Sequence, residues 1–226
     1  MNTTKALECL SEYTKNHIKD VNSLSVEDDN GNRALILLCQ EKYDFFLGLP
    51  VKPEMEGFPP PPVSELRDAI FQSYEYDKVE ELSDRKYIAD ILLKRNFDTE
   101  FYVNEIMSYL KKLYLKGLNR EERYEVTHLC WCVYMIGKDN HILSNYKALL
   151  TNALIEVYNL SPSSDEGTEC LYFLSLINPE AIKEEWMFNL SQIQKKDGCY
   201  PGDWMKERIH HTGLALLTYY NYTHQD

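Results

Sequence analysis

Apolar positions recur at three- and four-residue intervals along most of the chain, and convincing strict alternation is absent. That pattern predicts an all-α protein. The periodic segments place helices over 4–21, 31–47, 63–75, 78–95, 99–116, 120–137, 142–159, 165–177, 180–195 and 205–222. The breaks fall at Gly117-Leu118-Asn119, Lys138-Asp139-Asn140, Ser161-Pro162, Asn178-Pro179 and Gly198 to Gly202, residues that stop helices. From residue 99 two kinds of helix alternate. FYVNEIMSYLKKLYLKG, HILSNYKALLTNALIEVYN and AIKEEWMFNLSQIQKK each carry one apolar stripe, which suits a half-exposed helix. THLCWCVYMIG, TECLYFLSLIN and HTGLALLTYYN are apolar almost all round, which suits a helix buried on every side.

The three buried segments align without a gap. His128, Glu169 and Thr212 each stand nine residues before Gly137, Asn178 and Asn221, at spacings of 41 and 43 residues. Such a period predicts stacked helical hairpins, each with an amphipathic outer and an apolar inner helix, in a partial α/α toroid or short solenoid-like arc. The reading is of a single all-helical domain over 1–226: N-terminal helices over 1–47, a Pro-rich strap over 48–63, and hairpin repeats over 64–226. The strap, GLPVKPEMEGFPPPPV, favours polyproline II and forbids helix.

Charge narrows the partners. Lys and Arg total 24 against 36 Asp and Glu, a net charge of −12, which repels nucleic acid and anionic lipid. No apolar run spans a bilayer, and the first residues lack a leader's apolar stretch, so the expected compartment is the cytoplasm, with a secreted mature form as the alternative. The six cysteines are scattered, without a CxxC, and are expected to be reduced. Cys130, Cys132 and Cys170 lie in apolar helical stretches, where a thiol serves as a small hydrophobe.

Equivalent positions of a repeat stack side by side. The starts of the inner helices should therefore gather Thr127-His128, Thr168-Glu169 and His211-Thr212 at one end of the arc. Ionisable groups at the head of apolar helices are costly to bury unless they are paired or bound. The turn KKDGCYPGDW must cross the same rim, and brings Asp197 and Cys199 at the i, i+2 spacing with which one turn aims two ligands at one ion. Cysteine, histidine and carboxylate together suit zinc. The plain alternative is a turn shaped by Gly198, Pro201 and Gly202. His210 and His211 are neighbours on the helix, and repeat alignment favours His211 as the inward one.

DGCY followed by a tryptophan, with a later buried helix beginning HT, resembles the β subunits of protein prenyltransferases and, in its Gln-x-x-x-x-Asp-Gly run, the related terpene cyclases. The resemblance implies an α/α toroid and zinc held by Asp197, Cys199 and His211. Only 12 residues separate Cys199 from His211, fewer than in that family, and no Arg and Lys cluster awaits a diphosphate. YEVTHLCW with DGC…HHT is also similar to a little-characterised family of secreted animal proteins, which implies no mechanism.

Three functions follow. The first is a zinc enzyme acting on a peptide side chain or small organic substrate, with Cys199, His211 and His128 as ligands and Glu169 as fourth ligand or general base. The second is a cofactor-free isomerase, epimerase or lyase that moves protons between Cys199 and a histidine. The third is a non-catalytic helical-repeat module that binds a peptide.

Overall fold

The computed structural model describes residues 1–17, 35–36, 38–44, 98–137 and 141–224, and among these every regular element is helical. The strap, the helices expected over 63–75 and 78–95, and parts of the first two helices lie outside the described residues. The chain divides into two compact units, Met1–Tyr74 with Glu184–Asp226, and Glu75–Lys183. The boundary falls inside the third expected hairpin, at a point the periodicity does not mark.

The second unit holds α2 (Thr99–Lys116), α3 (Arg120–Gly137), α4 (Ile142–Leu160) and α5 (Asp165–Ile177). The starts of α2, α3 and α5 are each set by a polar side chain that takes up an otherwise unpaired backbone N–H group, whereas α4 begins after His141 without a side-chain cap. Asp98 accepts from Phe101 N at 2.9 Å, and Asn119 accepts from Glu121 N at 2.9 Å. Ser164 accepts from Gly167 N at 3.1 Å. The apolar stripe of α2 buries Tyr102, Val103, Ile106, Leu110 and Leu113, and the helix stops at Gly117, whose φ of 102° suits glycine. Helix α5 is buried along nearly its whole length, from Glu166 to Ile177. It packs against α3 and α4.

The first unit is assembled from the two ends of the chain. Helix α1 (Thr3–His17) packs against α7 (Met205–Thr223), and α6 (Glu184–Gln192) precedes the turn that leads into α7. The helix expected over 180–195 is broken. Pro179 starts a short 3-10 turn, Pro179–Ala181, and Ile182 is extended, so α6 begins only at Glu184. Its stripe still buries Trp186 and Leu190. Residues 38–43 are helical and lie on α7, where Tyr43 donates to Leu216 O at 2.6 Å.

A close approach inside the second unit gives a direct test of this packing. A Cβ on Gly167 would meet Ser161 O at a distance no carbon tolerates, with Pro162 backbone atoms at 3.1 Å. Because the neighbours are backbone, the clash cannot be relieved by a rotamer change. Gly167→Ala should destabilise by about 1–3 kcal/mol in urea unfolding, against the mild stabilisation that Ala gives inside an ordinary helix. An unchanged midpoint would show that the turn before α5 does not pack as described.

Candidate functional site

The residues singled out for chemistry fall into two groups, one in each unit. In the unit of α1, α6 and α7, the turn Lys195–Cys199 closes on itself through Lys195 N to Cys199 O at 2.9 Å and Gly198 N to Lys195 O at 3.0 Å. Gly198, with φ of 91°, lies against the Lys5 carbonyl so closely that no side chain fits there. Cys199 forms a disulfide with Cys9 of α1, across a sequence separation of 190 and a Cα–Cα distance of 5.7 Å. The expectation that all six cysteines are reduced is therefore corrected. Two cysteines spaced far apart in sequence have no spacing signature, and only the packing of α1 on this turn brings them together.

Three further contacts hold the turn to α7. Asp197 accepts from Cys199 N at 3.1 Å and pairs with Arg208. Tyr200 N donates to Thr212 Oγ1 at 3.0 Å. His211 Nδ1 lies 3.0 Å from Pro201 O, with its ring against buried Tyr200. His211 is buried, whereas its neighbour His210 is half-buried, so the repeat alignment chose the inward histidine. Gln194 adds the tie to α1: it accepts from Asn2 N at 2.7 Å and donates to Asn2 O at 3.0 Å and Gly198 O at 2.9 Å. The family-like run begins at Gln192. The residue that ties is Gln194, two positions later.

Do these groups fit the zinc that the resemblance implies? A sulfur bonded to sulfur has no thiolate to offer, so in this form Cys199 is neither a zinc ligand nor a proton carrier. Asp197 has one oxygen on the turn and the other on Arg208. That guanidinium, together with the backbone hydrogen bond, holds its carboxyl below the usual carboxylate range although desolvation opposes them. His211 keeps one ring nitrogen on a carbonyl, which orients the imidazole but supplies a single donor. The set does not fit zinc, and among the described residues no group of three or more His, Cys, Asp or Glu is placed to hold a metal. The remaining described cysteines, Cys39, Cys130, Cys132 and Cys170, are buried, and burial pushes the thiols of Cys39, Cys130 and Cys170 far up.

In the other unit the repeat alignment does bring its partners together. His128 Nε2 on α3 lies 3.3 Å from Glu169 Oε1 on α5, and Thr127 Oγ1 donates to Glu169 Oε2 at 2.7 Å. This pair belongs to a longer polar seam. Arg123 donates to buried Glu166 at 3.2 Å, Arg120 lies 3.6 Å from the same carboxylate, and the Tyr124 hydroxyl donates to Asp165. Burial first, then the Asp165 bond, pushes the Tyr124 phenol up, so it stays a donor. Arg120, Arg123, Tyr124, Thr127 and His128 share one face of α3 by helical spacing. Facing Asp165, Glu166 and Glu169, that spacing was the signal for a charged interface, and attention to repeat position alone missed the arginines.

A groove of about 390 Å³ opens in the same unit between the starts of α2 and α4. Val103, Ile142 and Tyr146 give it an apolar wall, and Asp98, Glu100 and His141 stand among its polar residues. Asp98 is committed to capping α2, while Glu100 is exposed. Tyr146 donates to Asn104 at 2.9 Å, which fixes its ring beside the groove. No known family model, curated protein or solved structure matches the chain. Among the described residues no helix is long and apolar enough to cross a membrane.

Two measurements probe the turn. The fully buried Tyr200 hydroxyl has no hydrogen-bond partner among the described residues, so Tyr200→Phe should leave stability unchanged or raise it by about 1 kcal/mol, whereas Tyr200→Ala should cost about 3–5 kcal/mol. A marked loss in the Phe variant would mean that the hydroxyl is bound after all. Asp197 gives a pH test. Its folded pKa is depressed, so the stability it contributes is present above the ordinary carboxylate range and disappears as pH falls through the folded value. Asp197→Asn keeps the turn acceptor and loses the ion pair. Its urea midpoint should lie below that of the native protein at neutral pH, and the two should converge in acid. A gap that stays constant or widens in acid would rule out the Arg208 pairing as the cause.

Proposed function

We propose that the chain is a non-catalytic helical binding module of an oxidising compartment, which takes a peptide bearing a basic side chain in the groove between α2 and α4. The groove carries this reading. Its volume suits one or two side chains, and its apolar wall beside carboxylates matches an extended aliphatic stem that ends in a cation. The net charge of −12 draws such a peptide in and repels polyanions. The Cys9–Cys199 bond supports the compartment, because structural disulfides persist where the surroundings oxidise thiols. The stacking of α2–α3 and α4–α5 through their inner helices supports an arc of the α/α kind as the scaffold. The residues offered for catalysis instead hold helices together, which favours binding over the zinc and acid–base readings.

The test uses two decapeptides that differ only in a central Lys or Glu. Titrated into isotope-labelled protein, the Lys peptide should move the amide signals of Val103, Ile142 and Tyr146, and Glu100→Lys should weaken it by about tenfold, equivalent to about 1.4 kcal/mol. Equal response to both peptides, or signals moving only outside the groove, would sink the proposal. Elemental analysis of untagged protein checks the rejected alternative: one zinc per chain would restore the enzyme reading.

A further inference from the structure

Four asparagines head Asn-x-Ser/Thr tripeptides: Asn2, Asn159, Asn189 and Asn221. By composition alone about one or two would be expected. Such tripeptides accept N-linked glycans where a chain enters the secretory route. Their surroundings differ. Asn2 is turned back on its own helix, its side chain accepting from Lys5 N at 3.1 Å while its backbone is gripped by Gln194. Asn221 is half-buried in α7. Asn159 and Asn189 are exposed, on α4 and α6 respectively.

Two of the seven large apolar side chains exposed among the described residues, Leu160 and Phe188, stand directly beside these two asparagines. Large apolar side chains left in water call for an explanation only when they gather or recur at a feature. Leu160, the middle residue of Asn159-Leu160-Ser161, is 55% exposed, and Phe188, which directly precedes Asn189, is 61% exposed. A sugar chain rooted on the adjacent residue would lie over such surface and keep it from other proteins. The backbone at Ser161 leaves the helix, its N–H turning back to Tyr158 O at 3.1 Å, so the first tripeptide sits where α4 opens into a loop.

We infer that Asn159 and Asn189 carry N-linked glycans that cover Leu160 and Phe188. The inference rests on the oxidising-compartment part of the proposed function. The donor is a lipid diphosphate oligosaccharide. The asparagine amide nitrogen bonds to the first sugar carbon and gives up a proton to a base. The bond from that carbon to the diphosphate oxygen breaks, and the lipid diphosphate leaves with the electron pair.

The full chain, isolated from the cells that make it, is digested with a glycan-releasing amidase in heavy-oxygen water, which converts each occupied asparagine to labelled aspartate. Peptide mapping should find label at both Asn159 and Asn189, and intact mass under non-reducing conditions should show the Cys9–Cys199 bond. The same chain sent into the secretory pathway of cultured eukaryotic cells should run with two removable mobility steps. Asn159→Gln and Asn189→Gln should each remove one. Ser161→Ala should remove the first step and Ser161→Thr should keep it. Absence of label at either site in disulfide-bonded protein overturns the assignment there while the compartment reading stands. Free thiols at Cys9 and Cys199 together with no label overturn both. Label confined to Asn2 or Asn221 also overturns the inference.

Discussion

The covalent bond between Cys9 and Cys199 is the constraint from which the unit of α1, α6 and α7 follows. Chain ends are ordinarily the least ordered part of a domain, and here the first helix is joined to a turn 190 residues further on. A bond that closes so long a loop removes much of the freedom of the unfolded chain, a contribution of about 5 kcal/mol in the entropic account. Once α1 is fixed, Gly198 has to be glycine, because Lys5 O occupies the space of a side chain. Gln194 can then bridge Asn2 and the turn, and the polar edge of the turn is left facing the start of α7. Arg208, His211 and Thr212 engage that edge one after another.

Much of the fold was legible because helical periodicity reports burial directly. The expected spans over 99–116, 120–137 and 165–177 agree with the helices, since Asp98, Asn119 and Ser164 cap them and Gly117 and Asn178 end them. The span over 180–195 was drawn too long, because Ile182 belongs to the apolar stripe although its backbone is extended. Residue types mark the turn as closely shaped, but nothing in their spacing announces the Cys9 crosslink. A sequence shows that Asp197, Cys199 and His211 are near one another. It does not show that Cys9 arrives from the far end, and that arrival decides whether the sulfur is a ligand or a crosslink.

In the other unit Thr127, His128 and Glu169 join the starts of α3 and α5. The apolar stretches of α3 and α5 follow polar first turns that carry Glu121 and Glu122 in one and Asp165 and Glu166 in the other, acids that favour helix starts. When α3 and α5 pack together, Asp165, Glu166 and Glu169 are brought into the interface and need donors. Arg123, Tyr124, Thr127 and His128 supply them at helical spacing along α3. Removing one partner of such a buried pair is costlier than never having built it, since the other charge is then stranded. Polar residues at equivalent repeat positions are therefore what packed helix starts require, and their convergence is not by itself a sign of chemistry.

That distinction also separates the seam from the groove. In the seam each carboxylate already faces a donor from the neighbouring helix, so an incoming cation would have to displace a guanidinium or hydroxyl held in place by packing. In the groove Asp98 is held by its capping bond, but Glu100 projects from the first turn of α2 beside Val103, Ile142 and the fixed ring of Tyr146. Among the described residues, a cation arriving there adds an interaction without breaking one. The charge sits at a rim that water still reaches, so it contributes orientation and rate of encounter more than affinity. For the proposed peptide the binding energy then has to come from the apolar wall. The occupant this favours is a long side chain whose stem lies along Val103 and Ile142 while its cation stays at the edge, which describes lysine or arginine better than a compact ion.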